Sequence, residues 1–330
     1  MSKEESRPSD AKKVCKDFPK FINFSQLCRY TATTEECVQF GQKWGLFPKS
    51  CLCPSCGDIL DKVHFSRRGN STQARFRCSK RACRKYISIT KNTWFEGAKV
   101  SFRKSLFLAY CFVNRSSYDT AIRETSGPRF DDCETSTKTV ADLYSYCREV
   151  IFESLYCSDE VRQIGGANFC VEVDEAKFGK RKFNRGRVAN GQWVFGGICR
   201  ETKECFLVPV QDRTQETLVN LIKKHVAPGT IIRSDCFKSN ECLEREGFRH
   251  LTIKHSENFG DRHTSAYTNI VESTWWAVKK SLCSTHAHTQ KQHFAAYLAE
   301  YIWHQQNVDT KCKFIQFLKE ICKVYPGLDA

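Results

Sequence analysis

NFCVEVDEAKF (168–178) has the composition of a β strand and carries three acidic residues. Asp174 lies late in this segment, with Glu172 before it and Glu175 directly after it. Successive side chains of a strand point to opposite faces. Glu175 should therefore lie on the face opposite Asp174, and Glu172 on the same face but deeper. Asp174 is the candidate functional acid, and the two glutamates are the nearest alternatives. Taken alone, Asp174 is equally a turn residue at a strand end.

The chain after this strand predicts a mixed α/β domain. Two further strands follow across short turns, as in hairpins, and helices then alternate with strands. The predicted strands are 192–201, 203–212, 230–235 and 250–255, and the predicted helices are 214–226, 237–247 and 269–282. The order β-β-β-α-β-α-β-α is that of a ribonuclease-H-like domain, a mixed sheet with helices on both faces.

A second acid, Asp235, ends the fourth strand, TIIRSD (230–235). In the expected fold the first and fourth strands are neighbours, and ligands bind where such strands end. Two carboxylates there, with no basic partner evident in the sequence, would repel each other unless a cation neutralised them. Oxygen ligands suit Mg²⁺ or Mn²⁺, and two such ions about 4 Å apart serve in-line phosphodiester displacement. Alone, Asp235 is equally a helix cap.

Glu272, in YTNIVESTWWAVKK (267–280), is the predicted third ligand. Asn269 three residues earlier also makes a capping box, which is the structural alternative for this acid. The helix has one apolar stripe, formed by Val271, Trp275, Val278 and Leu282. Glu272 and Trp276 lie off the stripe, as do Lys279 and Lys280. The carboxylate can therefore leave the core while its neighbours, including the tryptophans, anchor the helix.

Two cysteine pairs predict a structural zinc site. CPSCG (53–57) and CSKRAC (78–83) would supply Cys53, Cys56, Cys78 and Cys83 as four thiolate ligands. The second pair is wider than the usual C-x2-C, so the fit to a zinc ribbon is loose. Cys51 is an alternative ligand to Cys53. The structural alternative is a set of free cysteines in a small β-rich region.

Basic residues surround the cysteines and indicate DNA contacts through phosphates. Arg77, Lys80, Arg81 and Arg84 are the predicted contacts. After the ribbon, helices flank Gly127 and Pro128, either as a helix-turn-helix or as a spacer between domains. The predicted divisions are a flexible tail and linker (1–33), a helix plus zinc ribbon (34–95), a helical region (96–160), the catalytic domain (161–310) and a C-terminal helix or tail (311–330).

Composition favours a nucleic-acid partner. The 330 residues include 52 Lys+Arg against 37 Asp+Glu, a formal net charge of +15. An anionic membrane surface is the competing partner, but no apolar run approaches the roughly 20 residues of a spanning helix. Twenty cysteines without an export signal indicate reduced thiols, and hence cytoplasm or nucleus.

Three motifs carry a family resemblance. VEVDEAKFGKRK, IIRSDCFKSN and HSENFGDRHTSAYTNIVESTWWAVKK resemble those of the Merlin superfamily of DDE transposases and its bacterial insertion-sequence relatives, which have an ISXO2-like DDE domain. The block CPSCG…FRCSKRACRKYISITKNTWFEG resembles the same family's N-terminal half. The likeness spans roughly 35–310 in one order, which makes it more specific than any single motif.

The resemblance implies a catalytic triad of Asp174, Asp235 and Glu272 holding two divalent metals. It also implies DNA cut-and-paste chemistry in the nucleus, in which terminal inverted repeats are cleaved and a freed 3′-hydroxyl attacks target DNA. A homodimer or higher oligomer is expected because two ends must be cut together. Tyr267 stands where the family usually has histidine, whereas His255 matches the family and is expected to support the site.

Further DNA contacts are expected around the catalytic domain. The loop KFGKRKFNRGR (177–187) would grip phosphates through Lys177, Lys180, Arg181, Lys182, Arg185 and Arg187. Lys279 and Lys280 on the last helix are further candidates. Two alternatives stay open: a domesticated, DNA-binding regulator without catalysis, and a zinc-ribbon nuclease or RNA-binding protein without integration.

Overall fold

The protein is described here from a computed structural model, in which the following residues are placed: 21–68, 71–127, 130, 134–156, 162–179, 191–234, 240–252, 269–283 and 293–326. Its first helix, α1 (Phe24–Tyr30), lies within the segment predicted to be tail and linker, and Leu27 of this helix is fully buried. The second, α2 (Thr34–Lys43), begins with a capping box in which the Thr33 hydroxyl accepts a hydrogen bond from the Glu36 amide.

The cysteine-bearing segment consists of short antiparallel strands. β1 (Cys51–Leu52) pairs with β2 (Ile59–Leu60), and β3 (Val63–Arg68), β4 (Ser71–Arg77) and β5 (Tyr86–Ser88) form a three-stranded sheet. The first cysteine pair lies in the turn between β1 and β2, and the second in the connection between β4 and β5. Both turns contain a residue with positive φ, Gly57 at 70° and Arg84 at 47°.

Three helices follow, α3 (Phe102–Val113), α4 (Tyr118–Thr125) and α5 (Thr137–Tyr156). The break that the sequence predicted is present, with Gly127 at φ 103°. The Ser136 hydroxyl accepts a hydrogen bond from the Thr139 amide at 3.1 Å, so Ser136 caps α5.

The last two helices, α9 (Phe294–Gln306) and α10 (Lys313–Val324), pack against the earlier ones. A buried ion pair joins α5 to α9, with Arg148 Nε 2.7 Å from Glu300 Oε2. Trp303 of α9 and Phe317 of α10 lie in one core with the residues of α3, α5 and the ribbon. The sequence did not indicate this long-range packing.

The central sheet has the strand order β12-β11-β7-β8-β9. These strands are β7 (Cys170–Phe178), β8 (Gln192–Cys199), β9 (Cys205–Val210), β11 (Ile231–Ser234) and β12 (Arg249–Thr252). β7 pairs antiparallel with β8 and parallel with β11, so the sheet is mixed. The expectation that the first and fourth strands are neighbours is confirmed. A separate parallel pair joins β6 (Ile164–Gly165) to β10 (Val226–Ala227).

Helices cover both faces of this sheet. α6 (Gln215–His225) packs on the face that holds Val171 and Val173, whereas α8 (Asn269–Cys283) and α9 cover the face that holds Ala176 and Phe178. α7 (Asn240–Arg245) joins β11 to β12. The predicted order of strands and helices is confirmed. No helix in the described part of the chain is long and apolar enough to cross a bilayer.

Candidate active site on the central sheet

Asp174 lies at the middle of β7, opposite Gly196 of β8. The expectation of a position late in the strand is wrong, because Asp174 is the fifth of the nine residues of β7. Among the described residues, the parallel pairing with β11 reaches the pair Arg233–Glu172. Asp174 lies two residues beyond that pair, toward the carboxyl end of β11, where sheets of this kind bind ligands.

The Asp174 carboxylate accepts hydrogen bonds from its own strand and from α8. The backbone amide of Glu175 donates to Oδ1 at 2.7 Å, and the indole Nε1 of Trp275 donates to Oδ2 at 2.9 Å. The indole can approach the sheet because Gly196 has no side chain. A Cβ at Gly196 would lie 2.7 Å from Trp275 Cη2. The strand and the helix are thus joined at the carboxylate itself.

Glu272 lies three residues before Trp275 on α8, so the two side chains are neighbours on one side of the helix. Glu272 is exposed, and it has no hydrogen bond or ion pair with any residue that the structure describes. The predicted apolar stripe is confirmed, since Val271, Trp275, Val278 and Leu282 are all buried. Trp276 is 66% exposed, so only one of the two tryptophans anchors the helix.

Glu172 has a role that the sequence did not reveal. It is fully buried, and its Oε2 accepts a hydrogen bond from the Val271 amide at 3.1 Å. Its Oε1 lies 3.4 Å from Arg200 Nη1. The Glu172 side chain of β7 therefore caps the first turn of α8. Its negative charge suits the positive end of the helix dipole. The side chain of Asn269, the predicted cap, lies outside the described part of the structure.

Glu175 points away from this group, as the alternation along a strand predicts. Its Oε2 lies 3.1 Å from Arg213 Nη1 on the opposite face. Glu172 is on the same face as Asp174 and buried, as expected. Of the three acids on β7, only Asp174 combines a half-buried position with contact to α8.

Several predicted site residues lie outside the described residues. They are Asp235, His255 and Tyr267, and the loop residues Lys180, Arg181, Lys182, Arg185 and Arg187. β11 ends at Ser234, immediately before Asp235 in the sequence. Ser234 is buried, and its hydroxyl is 2.9 Å from His250 Nε2 on β12.

Basic residues near the candidate site rest on aromatic rings. Lys279 Nζ lies 5.4 Å from the ring centroid of Phe178, and Lys280 Nζ lies 4.9 Å from that of Trp276. Lys177 Nζ lies 5.8 Å from the Trp193 ring. Both α8 lysines are exposed, so their charges are available to an anionic partner beside Glu272.

The four predicted cysteines form one cluster. Their sulfur atoms all lie within 4.8 Å of one another, and the two closest pairs, Cys53–Cys83 and Cys56–Cys78, are at 3.5 Å. Four ligands at the usual Zn–S distance of about 2.3 Å would stand about 3.8 Å apart, so the cluster fits a tetrahedral zinc ion. Cys51 is not a member, which favours Cys53 as the ligand.

At the first cysteine knuckle, one of the two thiols, Cys53, favours thiolate. Backbone N–H groups at Ser55 and Cys56 lower the pKa of Cys53 to about 7. Thiolate is the form that binds a metal. Burial instead raises the pKa of the Cys78 thiol to about 12. A bound cation would reverse this second effect.

Three of the four basic residues predicted on the ribbon converge. Arg77, Arg81 and Arg84 line one cleft of about 400 Å³ together with Lys62 and His64. Lys80 forms an ion pair with Asp58, with Nζ 2.7 Å from Oδ1, and this contact ties the second knuckle to the first. Asp61 also lines the cleft, so basic residues outnumber acidic ones there, and a net positive surface of this kind attracts a phosphate backbone.

Comparisons with known proteins give the following matches. A model of the ISXO2-like transposase domain matches residues 164–306. A Haemophilus influenzae protein described as an uncharacterized transposase-like protein is 31% identical over 118 residues, which are 36% of this chain and 93% of that protein.

One solved structure has a weak similarity. It is a cryo-EM structure of the simian T-cell lymphotropic virus intasome in complex with PP2A regulatory subunit B56 gamma. The match has a TM-score of 0.29 and 10% identity, and it covers 60% of this chain and 67% of that one. A likeness of that size does not define a fold.

The two sequence matches agree with each other and with the site. The domain model includes β7 and α8, which carry Asp174 and Glu272, and it also includes β11, which ends immediately before Asp235 in the sequence. The bacterial relative is matched over nearly its whole length at more than 30% identity. The chain belongs to the family of transposases that have the ISXO2-like domain.

Proposed function

We propose that this protein is a DDE-type DNA transposase whose ribonuclease-H-like domain uses Asp174, Asp235 and Glu272 as its catalytic acids. The observation that carries the proposal is the contact between Trp275 and Asp174. It joins the strand that bears one acid to the helix that bears another. Glu172 supports the same junction by capping α8 one turn away.

The described acids suit a hard divalent cation. Each Asp174 oxygen accepts a hydrogen bond, and a carboxylate oxygen that accepts a hydrogen bond can also bind a metal. Glu272 is exposed and has no partner among the described residues, so it can bind an ion without breaking a contact. Asp174, Asp235 and Glu272 would hold Mg²⁺ or Mn²⁺. Two bound ions would supply activation of the attacking hydroxyl and stabilisation of the leaving oxygen.

The protein's own residues position the acids and the DNA. Trp275 holds the Asp174 carboxylate in one orientation, and the buried stripe of α8 fixes the height of Glu272 above the sheet. Lys279 and Lys280 lie one to two turns beyond Trp275 along α8. There they would contact DNA phosphates adjacent to the reacting phosphate. The segment 180–187 and His255 are proposed to add DNA and substrate contacts.

The N-terminal half would bind element ends. The cluster of Cys53, Cys56, Cys78 and Cys83 is proposed to hold structural zinc, and the cleft lined by Arg77, Arg81 and Arg84 is proposed to contact DNA. We further propose membership in the Merlin superfamily, nuclear localisation and assembly into a dimer or larger oligomer. Assembly follows from the chemistry, because two ends must be cut in one event.

A strand-transfer assay tests the proposal. Purified full-length protein is incubated with Mg²⁺, labelled DNA bearing the inverted repeats that flank the coding region, and a target plasmid. Cleavage at the repeat followed by joining, both lost in Asp235→Ala, is the expected result. Nicking without joining would indicate a nuclease instead. Repeat-specific binding with neither reaction would indicate a regulator. Unchanged cleavage in Asp235→Ala would overturn the triad.

A further inference from the structure

A polar pocket is lined by residues that belong neither to the candidate active site nor to the cleft of the ribbon. It has a volume of about 450 Å³ and lies where the end of α3, the end of α9 and the start of α10 meet the segment 21–23. Three basic residues line it, Arg115, Lys311 and Lys313, and no acidic residue is among the described residues of the lining. None of the three has an ion pair with another described residue. The pocket therefore concentrates uncompensated positive charge.

The positive groups are close enough to affect one another. Burial, and then the charge of Arg115, lower the pKa of Lys313. Such a cluster is destabilising unless a negative group enters it. A bound anion would satisfy the charges and would raise the pKa of Lys313 again.

Arg115 occupies a backbone position that does not suit arginine. Its φ is 54°, and it follows α3 in a Schellman arrangement, with the Arg115 amide donating to the Phe112 carbonyl and the Ser116 amide donating to the Cys111 carbonyl, both at 2.9 Å. Glycine is the usual residue at this place because it has no Cβ to strain. An arginine there places a guanidinium at the pocket at some cost in backbone strain.

His304 is a buried polar group without a partner. It is 3% exposed, and neither ring nitrogen has a hydrogen bond with a described residue. Burial, followed by the charges of Arg115 and Lys313, lowers its pKa to about 3, so the ring is neutral and one nitrogen carries a proton to donate. Buried nitrogens of this kind are normally satisfied by protein, water or a ligand.

The start of α10 adds backbone donors. This helix has 12 residues, and its N-cap residue, Cys312, makes no capping hydrogen bond with its side chain. The Cys312 sulfur instead accepts a hydrogen bond from the Ile22 amide at 3.3 Å. The first amides of α10 and the positive end of its dipole therefore face the same pocket.

We propose that this pocket binds a phosphate group. A phosphate matches the guanidinium, the two ammonium groups, the uncapped helix start and the orphaned imidazole, which together provide charge and directed donors. The phosphate could belong to a small molecule or to a DNA backbone. Binding of the group itself does not depend on transposition, whereas the DNA source rests on the proposed function.

Inorganic phosphate is the first probe. Binding to the full-length protein is measured by calorimetry in magnesium-free buffer, with chloride replacing phosphate at constant ionic strength. Lys313→Ala should weaken binding by at least about tenfold, because it removes a charge-assisted hydrogen bond. Lys319→Ala is the matched control, since Lys319 is an exposed lysine of the same helix. It should change the affinity less than about twofold.

Arg115→Gly separates binding from folding. Glycine relieves the strained backbone, so this variant should unfold at an equal or higher temperature without phosphate, and it should lose most of the stabilisation that phosphate provides. No phosphate binding by the wild-type protein, or equal binding by Lys313→Ala and Lys319→Ala, would overturn the proposal.

A DNA-binding measurement distinguishes the two sources of the phosphate. Anisotropy of a labelled duplex is measured with the same two lysine variants over a range of salt concentrations. If the pocket holds a DNA phosphate, Lys313→Ala lowers the affinity and reduces the salt slope by about one, unlike Lys319→Ala. Equal DNA binding by both variants, with phosphate binding still lost in Lys313→Ala, assigns the pocket to a small phosphate compound. Either result is independent of Asp174, so failure of catalysis would not mimic it.

Discussion

The two-residue repeat of a strand determines what each acid of β7 can do. Asp174 faces α8 and contacts Trp275, Glu172 lies on the same face but is buried beneath the helix start, and Glu175 faces Arg213 on the other side. The sequence predicted this parity correctly. It could not predict that Glu172 caps α8, because that contact joins residues 99 positions apart.

The indole of Trp275 should be a positioning group for Asp174. Trp275→Phe keeps an aromatic ring in the core but removes the donor to Oδ2. We expect metal-dependent DNA cleavage to fall by about tenfold to a hundredfold, as for other groups that orient metal ligands. Mn²⁺ affinity, measured by electron paramagnetic resonance, should weaken in parallel.

The adjacent tryptophan is the control for this change. Trp276→Phe alters an exposed ring that has no contact with Asp174, so Mn²⁺ affinity should be unchanged. Equal Mn²⁺ affinity in wild type and Trp275→Phe would show that the indole does not orient the carboxylate.

The junction of β7 with α8 is held at two levels. Trp275 contacts Asp174 above the sheet, and the buried stripe of α8 packs against Ala176 and Phe178. The stripe could be predicted from the sequence because its apolar residues recur with the period of a helix. Gly196 makes room for the indole, but no sequence pattern predicts that role. The role is evident only from the structure, in which β8 lies beside β7 and Trp275 approaches Gly196.

The Glu172 carboxylate should protect the first turn of α8. In Glu172→Ala the Val271 amide loses its acceptor, and we expect its hydrogen exchange to accelerate by about tenfold, the equivalent of one lost cap. Glu172→Gln keeps an acceptor oxygen and should preserve most of the protection. Hydrogen exchange followed by mass spectrometry or NMR measures both. Unaltered exchange in Glu172→Ala would exclude the capping role.

The ribbon should bind zinc through four cysteines. Cys56→Ser removes a ligand, so the purified protein should contain less than one zinc per chain and should unfold at lower temperature, because zinc binding contributes to folding. Cys51→Ser alters a buried cysteine outside the cluster and should retain a full zinc complement. Metal analysis by mass spectrometry distinguishes them. Loss of zinc in Cys51→Ser but not in Cys56→Ser would reverse the ligand assignment.

At the scale of the whole molecule, local sequence patterns predicted the helices and strands but not how the last two helices pack. The order of strands and helices and the cysteine cluster followed from periodicity, turn residues and spacing. The neighbouring first and fourth strands followed from the fold expected for that order. The packing of α9 and α10 against α3 and α5 could not be predicted. An apolar stripe indicates that one face of a helix is buried, but it does not identify the element that buries it. The N-terminal helix α1 was missed for a related reason: it is only seven residues long and has a single fully buried side chain.

Acid should destabilise the protein through buried histidine. His225 is stacked on Phe206, with ring centroids 5.0 Å apart, and burial followed by the charge of Lys224 lowers its pKa to about 4. The unfolded chain, with a histidine pKa near 6.5, takes up this proton first. Stability is therefore unaffected above about pH 6.5 and falls as the pH drops toward 4, by about 2 kcal/mol at pH 5.

His225→Phe removes the proton but keeps a stacked ring. Its free energy of unfolding, measured by denaturant titration at pH 7 and pH 5, should fall less between the two than that of wild type. Other titrating groups, including His304, are common to both proteins, so the difference isolates His225. An identical pH dependence in the two proteins would refute the assignment.

The central claim is that the half-buried acid facing α8 is catalytic and its strand neighbour is not. The direct measurement is the rate of Mg²⁺-dependent cleavage of repeat-bearing DNA by wild type, Asp174→Asn and Glu175→Gln. Both variants remove one negative charge from adjacent positions of β7. Asp174→Asn should lower the rate by about a thousandfold or more, since metal stabilisation of the transition state is worth several kcal/mol. Glu175→Gln should stay within about threefold of wild type, because it loses only a partly exposed ion pair. Cleavage by Asp174→Asn at the wild-type rate, or an equal loss in both variants, would contradict the account.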